Sequence, residues 1–199
     1  MWLLPAPLVL ASRSAVRRAV LEAAAIPVEV FPADVDERAI ETGAGLKGPG
    51  DVAMVLAHSK ASAVAAQMPG CVVLGADQTL ALGEDRFSKP PDRAAARQQL
   101  LALRGKTHEL HSAVAVVRDQ NLLFRTVVSA RLTMRDFSEE FLERYLDEAG
   151  TAVLASVGGY QLERTGIHLF DRIVGDHFTI LGMPLLPLLA FFRQEGFVA

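Results

Sequence analysis

The side chains in this sequence that could bind or transform a substrate begin within residues 8–27, LVLASRSAVRRAVLEAAAIP. The apolar start predicts a strand and the apolar spacing after it predicts a helix, with Ser12, Ser14, Arg17 and Arg18 at the joint and Ser14 as the cap. A helix dipole disfavours cations in the first turn by a few tenths to about 1 kcal/mol, so two arginines there require an explanation. Helix N–H groups, hydroxyls and guanidinium groups together bind phosphate, and a bound anion removes that penalty. The alternative is that both arginines are solvated surface residues.

A second candidate site lies in the segment CVVLGADQTLAL, which predicts a central strand with Asp77 and Gln78 directly after its apolar part. A carboxylate buried at such a position loses favourable hydration free energy unless it is paired with a cation or remains in contact with solvent. Because Mg²⁺ prefers one or two carboxylates together with phosphate oxygens, Asp77 is a candidate metal ligand or a base that orients water. The alternative is a structural aspartate that caps a neighbouring loop.

Three further groups suit a phosphate site. Lys60 lies on an alanine-rich helix face, and Lys89 precedes two prolines that hold its backbone extended. The acidic segment DVDE supplies Asp34, Asp36 and Glu37. Cations for phosphate oxygens and carboxylates for Mg²⁺ and water are the groups that metal-assisted phosphoryl transfer requires. Each of them, taken alone, is equally well explained as a surface charge.

The composition limits the class of protein. With 199 residues, 51% of them hydrophobic, the chain can bury a sizeable core, and we expect a single domain over 1–199. The formal net charge of −3 argues against a nucleic-acid partner, which a basic excess normally accompanies. The lone Cys71 excludes an intramolecular disulfide and suits a reducing cytosol, with a buried structural thiol as its expected role. No apolar run reaches the ~18–20 residues that span a bilayer, so we expect a soluble cytoplasmic protein without a membrane partner.

The order of the other elements predicts the fold class. Asp51 is the expected cap of a long helix, residues 107–134 predict a hairpin of two long strands, and residues 157–176 predict several short strands. The glycine-rich residues 39–50 predict a mobile segment, in which 42–50, with Lys47, is a candidate lid. Alternating strands and helices around a hairpin predict an α/β fold with a mixed central sheet flanked by helices, in two lobes around a cleft.

The motifs in this order resemble the Maf family of nucleoside triphosphate pyrophosphatases over nearly the full length of the chain. Each piece alone has low specificity, but the ordered set is specific. The matching pieces are LASRSAVRR, PADVDE, HSKA, GADQT, SKP, THELHSAVAV and GGYQLERTGIHLFDRIVGDHFTILGMPL.

The resemblance implies hydrolysis of a nucleoside triphosphate to the monophosphate and pyrophosphate by a Maf/ITPase-like fold, often as a homodimer. It implies a divalent metal cation, Mg²⁺ first and Mn²⁺ or Co²⁺ as alternatives. Asp77 would accept the proton of the attacking water, and Glu37 and Asp77 would bind the metal. The substrate-binding residues would be Ser12, Ser14, Arg17, Arg18, Lys60 and Lys89.

Three positions bear on the substrate. Many relatives have Arg, Thr and Gln where this chain has Val16, Gln78 and Glu163. Gln78 and Glu163 are similar to the subfamily that acts on 7-methyl-GTP. The absence of an arginine at position 16 and the added carboxylate of Glu163 both favour a cationic base. Val16 departs from that subfamily, which often has Trp there to stack on the base. The alternatives are a dTTP or UTP pyrophosphatase, with Glu163 a surface charge, or a nucleotide-binding regulator of septum formation without turnover.

Overall fold

The computed structural model describes residues 1–45 and 48–199, which divide into two compact units. Lys47, part of the segment predicted as a lid, lies outside the described residues. Unit 1 comprises Met1–Gln78, His111–Val128 and His177–Ala199, and unit 2 comprises Thr79–Leu110 and Ser129–Asp176.

Three long strands contribute residues to both units, and each unit adds its own elements. The shared strands are β3 (Val72–Leu82), β5 (Thr107–Arg118) and β6 (Asn121–Met134). Unit 1 adds β1 (Leu8–Leu10), α1 (Ala15–Ala23), β2 (Val28–Val30), α2 (Glu37–Ala44), α3 (Pro49–Ala65), α6 (His177–Ile180) and α7 (Leu185–Gln194). Unit 2 adds β4 (Asp85–Phe87), α4 (Arg93–Leu103), α5 (Glu139–Ala149), β7 (Phe170–Val174) and the 3₁₀ turns Gly150–Leu154, Val157–Gly159 and Thr165–Leu169.

The strands form a mixed sheet in the order β2-β1-β3-β5-β6-β7, with β4 paired to β3. Strand β1 runs parallel to both β2 and β3, with Val9 opposite Val73, and all three of its residues are buried. The pairs β3–β4 and β6–β7 are antiparallel. The prediction of an α/β fold with a mixed sheet flanked by helices is therefore confirmed.

The two faces of the sheet in unit 1 carry separate apolar clusters. One cluster joins β1 and β3 to α1 and α7 and includes Phe191, Phe192 and Phe197. The other joins β1, β3 and β5 to the alanine-rich α3. At Gly75 of β3 a Cβ atom would lie 2.0 Å from the carbonyl oxygen of Ala57, so only glycine allows α3 to pack this closely.

Within the segment predicted as mobile, residues 39–44 belong to α2, which Asp36 caps by accepting from the N–H of Ala39; the mobility of the segment stays a prediction. Three expectations about local structure are wrong. Helix α3 begins earlier than expected, at Pro49, so Asp51 lies in its first turn and is not the cap. Residues 157–176 contain one strand and short 3₁₀ turns instead of several strands. Cys71 is half-buried.

None of the described helices is both long and apolar enough to cross a membrane.

Unit 2 contains a buried histidine in an aromatic environment. The side chain of His108 is fully buried, and its Nε2 lies 2.8 Å from the hydroxyl of Tyr160. The ring also contacts Phe170, with the ring centroids 5.9 Å apart. Burial lowers the pKa of His108 from its ordinary 6.5 to about 4, because a charged imidazolium in this position would lose its hydration.

We expect His108 to make the protein less stable in mild acid. Its pKa is lowered on folding, so below pH 6.5 the unfolded chain takes up the proton first, and stability falls as the pH drops towards 4. The loss is about 3 kcal/mol of unfolding free energy between pH 7 and pH 4. Urea unfolding at several pH values, compared with His108→Phe, measures it. If the free energy of unfolding depends on pH in the same way in both proteins, His108 does not cause the loss of stability in acid.

Candidate functional site

The predicted joint between strand and helix is present in unit 1. Strand β1 ends at Leu10, and Ser14 caps α1 by accepting from the backbone N–H of Arg17 at 3.3 Å. The hydroxyl of Ser12 in turn accepts from the N–H of Ser14 at 3.3 Å. Arg17 is therefore the third residue of the helix, and its side chain starts beside both hydroxyls.

The guanidinium of Arg17 is fixed by oxygens on three separate segments. Its Nε donates to the carbonyl oxygen of Gly182 at 3.0 Å, and its Nη1 donates to the carbonyl oxygen of Ala76 at 2.7 Å and to Oγ of Ser12 at 3.2 Å. Desolvation lowers the pKa of Arg17, while the charge of Asp77 opposes that shift. A guanidinium does not deprotonate in proteins, so a fixed positive charge results.

Arg18 is not brought together with Arg17. Its side chain is half exposed, and its Nε lies 2.7 Å from the carboxylate of Glu22 one helical turn away. This is the arrangement of a solvated surface pair, which contributes little to stability. For Arg18 the structure matches the surface alternative, and a role in substrate binding stays a prediction.

Lys60 joins the two carboxylates that the sequence singles out. Its Nζ lies 2.6 Å from Oδ1 of Asp77 and 2.7 Å from Oε1 of Glu37. The close packing of α3 on β3 at Gly75 places Lys60 within reach of Asp77, and the Asp36 cap places Glu37 at the start of α2. Asp36 itself is a helix cap.

As the sequence predicted, Asp77 lies within β3, after its apolar part, and the strand continues to Leu82 and pairs there with β4. Its side chain is 12% exposed, and burial raises the pKa of Asp77. The charges of Lys60 and Arg17 act in the opposite direction and favour the carboxylate. Asp77 lies inside the central strand β3 and pairs with Lys60, so its side chain does not cap a loop, and its role as a proton acceptor stays a prediction.

The carboxylates of Glu37 and Asp77 also fit a divalent cation. The Nζ of Lys60 already contacts one oxygen of each carboxylate, so the two side chains are close enough to bind a single cation together. Among residues 1–45 and 48–199 there is no group of three or more His, Cys, Asp or Glu side chains that could hold a metal. Two carboxylates are what Mg²⁺ takes from a protein when substrate phosphates supply further ligands.

Gln78 has partners that the sequence did not indicate. Its Nε2 donates to Oγ of Ser112 at 2.8 Å and to the carbonyl oxygens of Thr179 and Ile180 at 3.2 and 3.0 Å. The hydroxyl of Ser112 donates to the carbonyl oxygen of Thr179 at 2.6 Å. A serine inside the apolar strand segment HSAVAV is the one signal that could have indicated this network.

The remaining predicted residues lie elsewhere on the chain. Val16 is half-buried at the second position of α1. Lys89, in the segment before α4, and Glu163, before the last 3₁₀ turn, belong to unit 2 and are exposed. Their predicted contacts with a substrate stay predictions.

Comparison with known proteins gives consistent matches over the whole chain. The family model described as Maf-like protein matches residues 7–195. The nucleoside triphosphate pyrophosphatase of Rhodopseudomonas palustris is 57% identical over 100% of this chain and 98% of its own length. A protein of the same name from Bradyrhizobium diazoefficiens is 54% identical, with the same coverage of both chains. The 7-methyl-GTP pyrophosphatase of Mesorhizobium japonicum is 52% identical over 95% of this chain and 96% of its own length.

Proposed function

The chain belongs to the family of Maf-like proteins, and we propose here the substrate and the residues with which it performs the pyrophosphatase activity of its relatives. It is a nucleoside triphosphate pyrophosphatase, a hydrolase of phosphoanhydride bonds. The observation that carries the proposal is the buried Asp77 held between Lys60 and Arg17.

In the proposed reaction Asp77 accepts the proton of a water molecule that attacks the substrate phosphate. The Arg17 guanidinium, Ser12 and the free N–H groups at the start of α1 bind the phosphate oxygens. These groups are already fixed, so they stabilise the charge that develops on the departing pyrophosphate without reorganising. Glu37 and Asp77 would hold a divalent cation, Mg²⁺ in the first place with Mn²⁺ or Co²⁺ as alternatives, which neutralises phosphate charge when bound.

For the substrate we favour 7-methyl-GTP. The supporting observations are the name of the Mesorhizobium japonicum relative and the residue Glu163, whereas the hydrogen bonds of Gln78 to Ser112, Thr179 and Ile180 give its predicted contact with the base no support. The charge of Glu163 suits a base that carries a positive charge, and its oxygens can accept from the N–H groups of a guanine edge. Val16 offers no aromatic face, so a pyrimidine triphosphate is the second candidate.

The first experiment is pyrophosphate release with Mg²⁺ from 7-methyl-GTP, GTP, dTTP, UTP, CTP, ITP and ATP. Faster turnover of 7-methyl-GTP than of all the others is the expected result. Turnover of dTTP and UTP alone would support the pyrophosphatase reaction and contradict 7-methyl-GTP as the substrate. Binding of nucleotides without any turnover would overturn the reaction and favour the regulator of septum formation.

We expect Glu163→Gln to reduce the preference for 7-methyl-GTP over GTP by about tenfold, or about 1.4 kcal/mol, because it removes a negative charge that favours the cationic base. The ratio of kcat/KM for the two nucleotides measures the effect. Glu148→Gln is the matched control, because it removes the same charge from another exposed position of unit 2. An unchanged ratio would make Glu163 a surface charge.

We expect chelation of divalent cations to stop turnover, and Glu37→Gln to raise the Mg²⁺ concentration for half-maximal rate by about tenfold or more. Titration of the activity with Mg²⁺ gives this value. Glu29→Gln, an exposed glutamate of β2, controls for loss of one negative charge in the same unit. Full activity in excess chelator would show that the reaction needs no metal.

A further inference from the structure

We propose that Gln78 and Ser112 are positioning residues that hold Arg17 in place through the backbone of residues 179–182. The inference rests on the proposed function, because it takes Arg17 as a phosphate-binding group. It assigns to Gln78 a role other than contact with the base, and it brings Ser112 into the site.

The orientation of the Gln78 carboxamide follows from its surroundings. Two of the three groups around Nε2 are carbonyl oxygens, of Thr179 and Ile180, and these can only accept. The third is the hydroxyl of Ser112, whose proton is directed to the carbonyl oxygen of Thr179 at 2.6 Å. Three acceptors therefore surround Nε2, so the NH₂ group of the carboxamide, and not its oxygen, must lie at this position.

These contacts hold a short stretch of backbone that ends at the Arg17 guanidinium. Thr179 and Ile180 are buried, and two residues later the carbonyl oxygen of Gly182 accepts from Nε of Arg17 at 3.0 Å. At Gly182 φ is +81°, and a Cβ there would lie 3.1 Å from that Nε. The guanidinium thus lies against a turn whose other end is fixed by Gln78 and Ser112.

Strand geometry separates this role from that of Asp77. Side chains of neighbouring strand residues point to opposite faces, so Asp77 and Gln78 lie on different sides of β3. Asp77 contacts Lys60 of α3 on one side, while Gln78 contacts the last two residues of α6 on the other. Loss of the Gln78 contacts therefore acts on the guanidinium, and through it on phosphate, whatever base the nucleotide carries.

The test uses inorganic tripolyphosphate, a ligand without a base, with Mg²⁺ and the full-length protein. Calorimetry measures its Kd for the unchanged protein, Gln78→Leu and Ser112→Ala. We expect tripolyphosphate to bind about tenfold more weakly to Gln78→Leu, which loses three hydrogen bonds, and its binding to Ser112→Ala to be weakened less. A displacement of a binding group by about 1 Å can cost up to about 100-fold, so a small shift of Arg17 accounts for losses of this size. The order of nucleotides in the turnover series stays the same in both variants.

A control separates this role from a general loss of stability. Ser138→Ala removes the cap of α5 in unit 2, so it lowers the unfolding temperature without touching the Arg17 network. It should leave the Kd of tripolyphosphate unchanged.

Two results would overturn the inference, and only the second would also contradict the proposed phosphate site. If the unchanged protein binds tripolyphosphate and folded Gln78→Leu binds it equally well, or changes only the order of nucleotides, the positioning role is wrong and the proposed function stands. If the unchanged protein does not bind tripolyphosphate at all, the phosphate site at Arg17 is wrong, and the positioning role falls with it.

Discussion

We expect Asp77→Asn to lower the rate of pyrophosphate release by about 1000-fold, because the substitution removes the proposed general base from a positioned water. The amide is the same size as the carboxylate and keeps an oxygen for the Nζ of Lys60, so the packing of β3 against α3 survives. Nucleotide binding is retained within about tenfold, since the phosphate contacts come from Arg17 and the start of α1. Single-turnover assays give the rate, and calorimetry gives the affinity.

Asp36→Asn is the matched control for this result. It makes the same carboxylate-to-amide change in the segment next to Glu37, and asparagine caps a helix as well as aspartate does. It should leave the rate within about twofold. If Asp77→Asn turned over substrate at the rate of the unchanged protein, another group would have to be the base.

We expect Arg17→Lys to lower kcat/KM by about 100-fold or more, because an ammonium cannot replace a planar fork that donates in several directions at once. The guanidinium contacts Gly182, Ala76 and Ser12 through two of its nitrogens, and lysine would leave some of these oxygens without a donor. The loss appears in KM as well as kcat, since phosphate is bound in both the ground state and the transition state. Steady-state kinetics at saturating Mg²⁺ provide both constants.

The neighbouring Arg18 offers a direct comparison. It has the same residue type in the same helical turn, but it is exposed and paired with Glu22. Arg18→Lys keeps the charge and the pair, so it should cost far less than Arg17→Lys. Equal losses in the two variants would mean that the fixed geometry of Arg17 has no special importance.

The parts of this structure that the sequence predicted are those set by local patterns. Ser14 caps α1 because a hydroxyl before an amphipathic segment satisfies the free N–H groups of the helix start. The apolar run of β3 and the pair of long strands β5 and β6 follow from periodicity and a polar turn. Helix α2 was not predicted, because its cap at Asp36 is followed by a segment rich in glycine.

The site could be predicted by residue type but not by its contacts. Nε of Arg17 donates to an oxygen 165 positions later, and Gln78 donates to oxygens 101 and 102 positions later. No periodic pattern relates such distant positions, and the acceptors are backbone carbonyls that every residue possesses. The ion pairs of Lys60 with Glu37 and Asp77 were likewise not predicted, and its contact with phosphate stays a prediction.

Gly75 makes the site sensitive to substitution at a position that has no functional group. A methyl group there would collide with the backbone of α3 at Ala57 and with Ala61, and the helix would have to move away from the sheet. Lys60 belongs to that helix, so its ammonium would move away from Asp77 as well. In a genetic screen for lost activity, alleles at this glycine would be grouped with those of Asp77.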